Sequence, residues 1–253
     1  MKIIACCKVV PNEEEIQVLP SRELSMENAS WKISQYDLNA LEEGKKLAAE
    51  TSGTMTALSV GSAAALGQSK IRKDILSRGP DDMSVVIDDA HAFADSLETA
   101  KAIAAALKGA EFDVVLCGMG SSDVYAQEVG VQVGALLDLP SVNNVTGITA
   151  KGDVLEVERT LENEVEVLEV PTPAVLTVSS EINVPGVPAM REIMKAGKKP
   201  VNELTPDLSA AAPSTKTISQ LAPEQQERRM QIVEGDGDEA VDALVQFLKK
   251  EVL

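Results

Sequence analysis

The chain has 253 residues, enough for one large domain or a domain with an appendage. Its 23 lysines and arginines stand against 40 aspartates and glutamates, a formal net charge of −17, and aromatic residues make up only 2%. Such a surface repels phosphate backbones and anionic lipids and offers few stacking platforms, so nucleic acids and membrane surfaces are excluded as broad partners; any anion must be gripped locally, by backbone donors or a few placed side chains.

In chain order, the near-continuous apolar run over 2–10 (KIIACCKVV) predicts a strand buried on both faces. Cys6 and Cys7, adjacent on it, point to opposite faces. With Cys117 the only further cysteine and His91 the only histidine, there is no C-x-x-C and no expected metal site. Free thiols fit a reducing compartment. The first residues do not read as a signal peptide and no apolar run approaches the ~20 residues of a membrane helix, so the expectation is a cytoplasmic chain without a membrane span.

Residues 34–51 predict a helix with Leu38, Leu41, Leu47 and Ala48 on one side, and 54–61 a second buried strand. Residues 62–79 predict a helix stopped by Gly79-Pro80, and 82–89 a third strand. His91, in an Asp-Asp-Ala-His turn, reads as a solvated surface residue, as does the run Glu13-Glu14-Glu15. Residues 94–108 form an amphipathic pattern capped by Asp95 or Ser96, 112–118 a fourth core strand, and 123–138 a helix with Ala126, Val129, Val133 and Leu137 inward. This alternation predicts an α/β fold, a parallel sheet flanked by helices with right-handed crossovers.

After Pro140 the period becomes two, with turns at 151–153 and 162–163, which predicts an antiparallel extension at the sheet edge. Residues 182–200 read as an exposed loop with a short helix near its end, and 201–222 as an arm rich in Ser, Thr, Ala and Pro. A last helix over 237–252 carries an apolar stripe of Val241, Leu244, Val245 and Leu248, to be buried on this chain or on a partner. The implied division is a core with its extension over 1–184, a loop over 185–200 and an arm with a helix over 201–253.

One stretch carries chemistry. Residues 117–140 (CGMGSSDVYAQEVGVQVGALLDLP) join a core strand to a helix at the sheet end where ligands of open parallel sheets sit. Helix N-termini offer free N–H groups to anions, and Gly118 and Gly120 allow backbone to approach a phosphate. Gly130 and Gly134, one turn apart, leave a bare helical surface for a flat group or a neighbouring helix. The alternative is an ordinary strand–helix turn with Asp123 as N-cap. The P-loop pattern and the dinucleotide fingerprint are absent, which disfavours a nicotinamide dehydrogenase, and no serine elbow or paired Cys–His is visible.

The order of segments, and above all Lys8-Val9-Val10-Pro11, Ser34-Gln35-Tyr36-Asp37-Leu38-Asn39-Ala40, residues 118–134 and Val187-Pro188-Ala189-Met190-Arg191-Glu192-Ile193-Met194-Lys195-Ala196-Gly197-Lys198-Lys199-Pro200, resembles the beta subunit of electron-transfer flavoprotein over essentially the full length. KISQYDLNA, RKDILSRGP and SSDVYAQEVG are similar to its Fix-type branch, associated with carnitine metabolism or nitrogen fixation. The resemblance implies an adenine-nucleotide alpha hydrolase-like core. It also implies a heterodimer with an alpha subunit that holds the redox-active FAD, and AMP or a second FAD in this chain. Further implied partners are an acyl-CoA-type dehydrogenase or related reductase and a quinone oxidoreductase, or a ferredoxin-linked one.

Carried over by position, the nucleotide pocket would comprise Cys6 and Val60, lining the adenine, with Ser34, Gln35, Tyr36 and Asp37 at the first helix start. Gly118, Asp123, Gln127, Glu128 and Val129 would follow, then Gly130, Val131, Gln132, Val133 and Gly134, with amides near Gln127 to Gly130 facing the phosphate. Val129 stands where some members have threonine, and Glu13 where some place a tyrosine near the alpha subunit's flavin. Met190 occupies the position of an apolar docking anchor, and Arg191, Lys195, Lys198 and Lys199 form a basic island around it. A homodimeric ATP- or AMP-binding regulator of related fold accounts for the first 140 residues but not for the 185–200 loop.

Overall fold

The computed structural model describes residues 1–89, 95–211, 215, 217–224 and 232–251; His91 lies outside them. They form two compact units, one of Met1–Gln17 with Ser25–Ser219, the other of Val18–Leu24 with Gln220–Leu253.

The larger unit begins with β1 (Lys2–Cys6) and β2 (Val9–Pro11), and the chain passes through the two-residue strands β3 (Gln17–Val18) and β4 (Leu24–Ser25) to β5 (Trp31–Ile33) and α1 (Gln35–Thr51). Next come β6 (Thr54–Gly61), α2 (Ala63–Leu66), α3 (Ser69–Ser77), β7 (Asp82–Ile87), α4 (Ser96–Leu107), β8 (Val114–Gly118) and α5 (Val129–Leu137). The extension supplies β9 (Ser141–Lys151), β10 (Val154–Thr160), β11 (Val165–Pro171) and β12 (Ala174–Val178), followed by α6 (Met190–Ala196) and β13 (Val201–Glu203). In the smaller unit α7 (Asp238–Glu251) leaves Val241, Leu244, Val245 and Leu248 exposed.

The described residues build a nine-stranded sheet in the order β11-β10-β9-β12-β8-β1-β6-β7-β13. It is parallel from β9 to β13, and β9, β10 and β11 pair antiparallel, as the α/β reading requires. The β9–β10 hairpin turns at Gly152-Asp153 between the paired Lys151 and Val154, with Gly152 at φ +67°. Both faces of the sheet are covered. Ile3, Ala5 and Cys7 join Leu41 and Leu47 of α1 and Ile75 of α3 on one face; Ile4 and Cys6 join Ile103 of α4 and Val133 of α5 on the other. Each such fully buried aliphatic contributes about 1.5–3 kcal/mol, so the alternation of Cys6 and Cys7 between faces is fixed by the core.

Three elements depart from the sequence reading. The strand expected over 2–10 breaks after Cys6, because the Lys8 amide is taken by the Asp37 carboxylate and β2 pairs antiparallel with β5, Val9 opposite Ile33. The helix expected over 62–79 splits at Gly67-Gln68, where Gln68 is extended and the Arg72 guanidinium takes up the Leu66 carbonyl. The helix expected over 123–138 begins only at Val129. Tyr125 and Gln127 have φ of +54° and +60°, a left-handed backbone through which an α-helix cannot run, so Asp123 is not its N-cap and Ala126 is exposed. In addition, Val201–Glu203, from the segment read as an arm, forms the edge strand beside β7.

Candidate functional site

From β1 the sheet grows to one side through β6 and β7, after which β8 is laid on the other side of β1. That reversal opens a crevice beyond the carboxyl ends of β1 and β8. A cavity of about 280 Å³ occupies it. Its floor is Cys6, Leu58, Val60 and Cys117, at the ends of β1, β6 and β8, with Ile103 from α4. Its rim is Lys8, Asp37, the 118–121 turn, Asp95 and Ser96 at the start of α4, and residues 126–129 leading into α5.

Asp37, buried in the first turn of α1, ties the crevice together. One carboxylate oxygen accepts from the Lys8 amide (2.7 Å), the other from the Gly118 amide (3.1 Å), so one side chain joins the ends of β1 and β8. Burial pushes its pKa up to about 7 against the pull of those two N–H donors. Gly118 is required by this contact: a Cβ there would lie 2.5 Å from Asp37 Oδ1 and 2.7 Å from the Tyr36 carbonyl carbon. The hydrogen bond to Cys117, with burial, raises the Cys6 thiol well above its ordinary value, so it lines the floor as a neutral group.

The 119–128 loop is pinned from several sides. Ser34 Oγ accepts from the Ser122 amide at 3.2 Å, and Lys8 Nζ meets Asp123 Oδ2 at 2.7 Å. Tyr125 stacks tilted on Tyr36, ring centroids 5.1 Å apart, and Ser96 Oγ donates to the Glu128 carboxylate. Burial works to raise Asp123, but the Lys8 ammonium and the Ser121 hydroxyl hold it below the ordinary carboxylate value. Among the described residues, the amides of Ala126, Gln127 and Glu128 meet no hydrogen-bond acceptor, and the first-turn amides of α5 follow directly. Uncommitted N–H groups in a row at a helix entrance suit an anion, while the apolar floor suits a flat heterocycle. The volume lies just under the ~300–1,000 Å³ of ordinary small-molecule sites, which suits a mononucleotide better than a dinucleotide enclosed whole.

Of the residues singled out from the sequence, Cys6, Asp37, Val60, Gly118, Gln127, Glu128 and Val129 line this cavity. Ser34, Tyr36 and Asp123 instead hold the loop that forms its rim, and Gln35 is exposed. Gly130 and Gly134 do not present a bare surface. A Cβ on Gly130 would stand 2.2 Å from Thr177 of β12, and one on Gly134 2.7 Å from Ser141 of β9, so these glycines let α5 press onto the sheet. Val133 is buried on the same side, Gln132 hydrogen-bonds Glu128, and Val131 lies further along the helix. Unforeseen from the sequence are Lys8, Leu58, Ser96, Thr99 and Ile103. The rule that every strand-to-helix turn of a parallel sheet opens at the carboxyl end could have found the start of α4.

Apart from the cavity, residues 184–194 expose Val184, Val187, Met190 and Met194, each more than 70% accessible. The roots of this loop are held firmly. Asn183 and Asn39 exchange amide–carbonyl bonds of 2.9 and 3.1 Å, and Asn183 also donates to buried Glu43 (3.2 Å). At the other root Lys199 turns inward, donating to the carbonyls of Leu76 (2.8 Å) and Pro80, so it is a strut and not part of a basic island; Arg191, Lys195 and Lys198 are exposed. Among the described residues no helix is long and apolar enough to cross a membrane. Residues 24–209, more than half of the chain, which include the crevice lining from Asp37 onward and the exposed loop, match the model of the electron transfer flavoprotein domain. That family is associated with electron transport and a flavin cofactor, and this chain belongs to it.

Proposed function

We propose that the chain is the beta subunit of a heterodimeric, Fix-type electron-transfer flavoprotein that holds an adenine mononucleotide in the crevice and relays electrons between a dehydrogenase or reductase and a quinone- or ferredoxin-linked acceptor. The observation that carries the reading is the crevice itself: an apolar floor at the β1/β8 reversal, rimmed by uncommitted amides at 126–128. Cys6, Leu58, Val60 and Cys117 offer the apolar contacts of an adenine, while the amides entering α5 offer donors to a phosphate. FAD, held mainly by the alpha subunit, supplies the redox chemistry when bound. This chain then acts as scaffold, nucleotide holder and docking surface.

For docking, the 185–200 loop combines an exposed methionine anchor, Met190, with the cations Arg191, Lys195 and Lys198 on an otherwise acidic chain, a combination suited to more than one partner of acyl-CoA dehydrogenase or reductase type. The exposed stripe of α7, in the 201–253 arm, offers a second apolar face to the alpha subunit.

Co-expression with the alpha subunit tests the assignment, with flavin and released nucleotide counted per heterodimer. One flavin and one AMP support simple relay, and two flavins support a second redox site in this chain. A stable homodimer that binds ATP and ignores the alpha subunit would overturn it in favour of a regulator.

A further inference from the structure

Among the described residues lining the cavity, Lys8 is the only lysine or arginine, whereas Asp37, Asp95 and Glu128 are carboxylates on the same lining. A phosphate held by the amides of this rim gains further from a nearby cation, the more so where three carboxylates share the lining. Yet the Lys8 ammonium is already engaged, 2.7 Å from Asp123 Oδ2. Asp123 sits on the 119–128 loop, and its other oxygen accepts from the Val124 amide at 2.8 Å. The backbone of Lys8 is fixed separately, through the Asp37 carboxylate, so its side chain can change partner without disturbing β1.

We infer that Lys8 is the charge partner of a bound nucleotide's phosphate, and that Asp123 is a placeholder that occupies the ammonium until the phosphate displaces it. The inference rests on the nucleotide reading of the crevice. In it Asp123 opposes binding: one carboxylate is exchanged for a phosphate at the same cation, and the released carboxylate faces solvent. The pair is partly exposed, with side chains 38% and 29% accessible, so the competition is modest, and salt weakens it.

The test is equilibrium titration of the chain, alone or in its heterodimer, with AMP and with adenosine, which lacks the phosphate. Asp123→Asn keeps the acceptor for the Val124 amide and releases Lys8; it should tighten AMP by roughly 2- to 5-fold and leave adenosine unchanged. Lys8→Met should weaken AMP by a similar or larger factor and again spare adenosine. In the double variant the gain from Asp123→Asn should vanish, because without the ammonium there is nothing to release. Weaker AMP binding in Asp123→Asn, a gain that persists in the Lys8→Met background, or equal effects on AMP and adenosine would overturn the placeholder while leaving the crevice as the site. Failure of the unaltered protein to bind either compound would overturn the nucleotide reading and this inference with it.

Discussion

Replacing Asp37 by asparagine isolates the energetics of the crevice in one titration. Asp37 is buried, and its pKa in the folded chain is about 7 against an ordinary 3.8. A carboxylate raised in this way binds a proton in the folded state that the unfolded chain has already released. Its contribution to stability is therefore complete below about pH 4, declines as pH rises, and is gone once pH has passed the folded value near 7. The slope in that window is about 1.4 kcal/mol per pH unit, so between about pH 5 and 8 the loss from this group alone is roughly 2–3 kcal/mol.

Asparagine matches the shape and does not titrate. It leaves one of the two donors, Lys8 N–H or Gly118 N–H, facing an amide NH₂ group, an offset of about 1–3 kcal/mol that is the same at every pH. The informative quantity is thus the change with pH of the stability difference between the two proteins, read from urea midpoints at matched slopes. The unaltered protein should lose roughly 2–3 kcal/mol relative to Asp37→Asn from about pH 5 to 8. A difference that stays flat would refute the raised pKa. A difference that is flat from about pH 5 to 8 and shows the unaltered protein losing stability only as pH falls below about 4 would mean that the two N–H donors outweigh burial and hold the carboxylate ionised.

Three further perturbations address the rest of the molecule. Gly130→Ala puts a methyl group 2.2 Å from Thr177 Cγ2 and should lower stability by about 1–3 kcal/mol, read as a shifted urea midpoint; an unshifted midpoint would mean that α5 does not sit against β12. Asn183→Ala removes the loop-root bonds to Asn39 and Glu43 and should speed tryptic cleavage after Arg191, Lys195 and Lys198, with no change expected if the loop is held elsewhere. Met190→Ala, at an anchor worth about 1.4 kcal/mol, should raise KM for the partner dehydrogenase roughly tenfold at unchanged flavin content, and normal kinetics would count against docking through this loop.

The core strands and most of the helices were legible in the sequence because burial on both sheet faces enforces unbroken apolar runs such as IIAC and VVLC, and because α1 and α4 carry clean one-sided stripes. The Lys151-Gly152-Asp153 turn was legible for a local reason, a glycine at positive φ between alternating strands. What escaped was decided by partners distant in sequence. The three-residue strands β2, β5 and β13 have too few side chains to show a period, and each exists because of its neighbour. The break at Gly67-Gln68 depends on Arg72 reaching back to the Leu66 carbonyl. In the crevice, position at a strand end identified Gly118 and the family resemblance supplied Cys6 and Val60, but nothing local marks Lys8, whose ammonium pairs with a carboxylate 115 residues away.

The late start of α5 is the most instructive of these departures. The sequence from Asp123 onward has helical periodicity, and a helix from 123 would have committed the amides of Gln127 and Glu128 to internal hydrogen bonds. Instead Tyr125 and Gln127 adopt left-handed backbone, at a cost on the order of 1–2 kcal/mol each for residues other than glycine. The contacts that hold this shape come from separate elements: Ser34 and Tyr36 at the start of α1, Lys8 beyond β1, and Ser96 at the start of α4. Of these, Lys8 and Ser96 also line the cavity. A strained loop held by groups that themselves bound a cavity is the arrangement expected when loop shape serves the ligand, since the same contacts that offset the strain are the ones a ligand can reorganise. The 119–128 loop is therefore the segment whose protection from hydrogen exchange should change most when AMP enters; a change confined to the 185–200 loop would contradict this coupling.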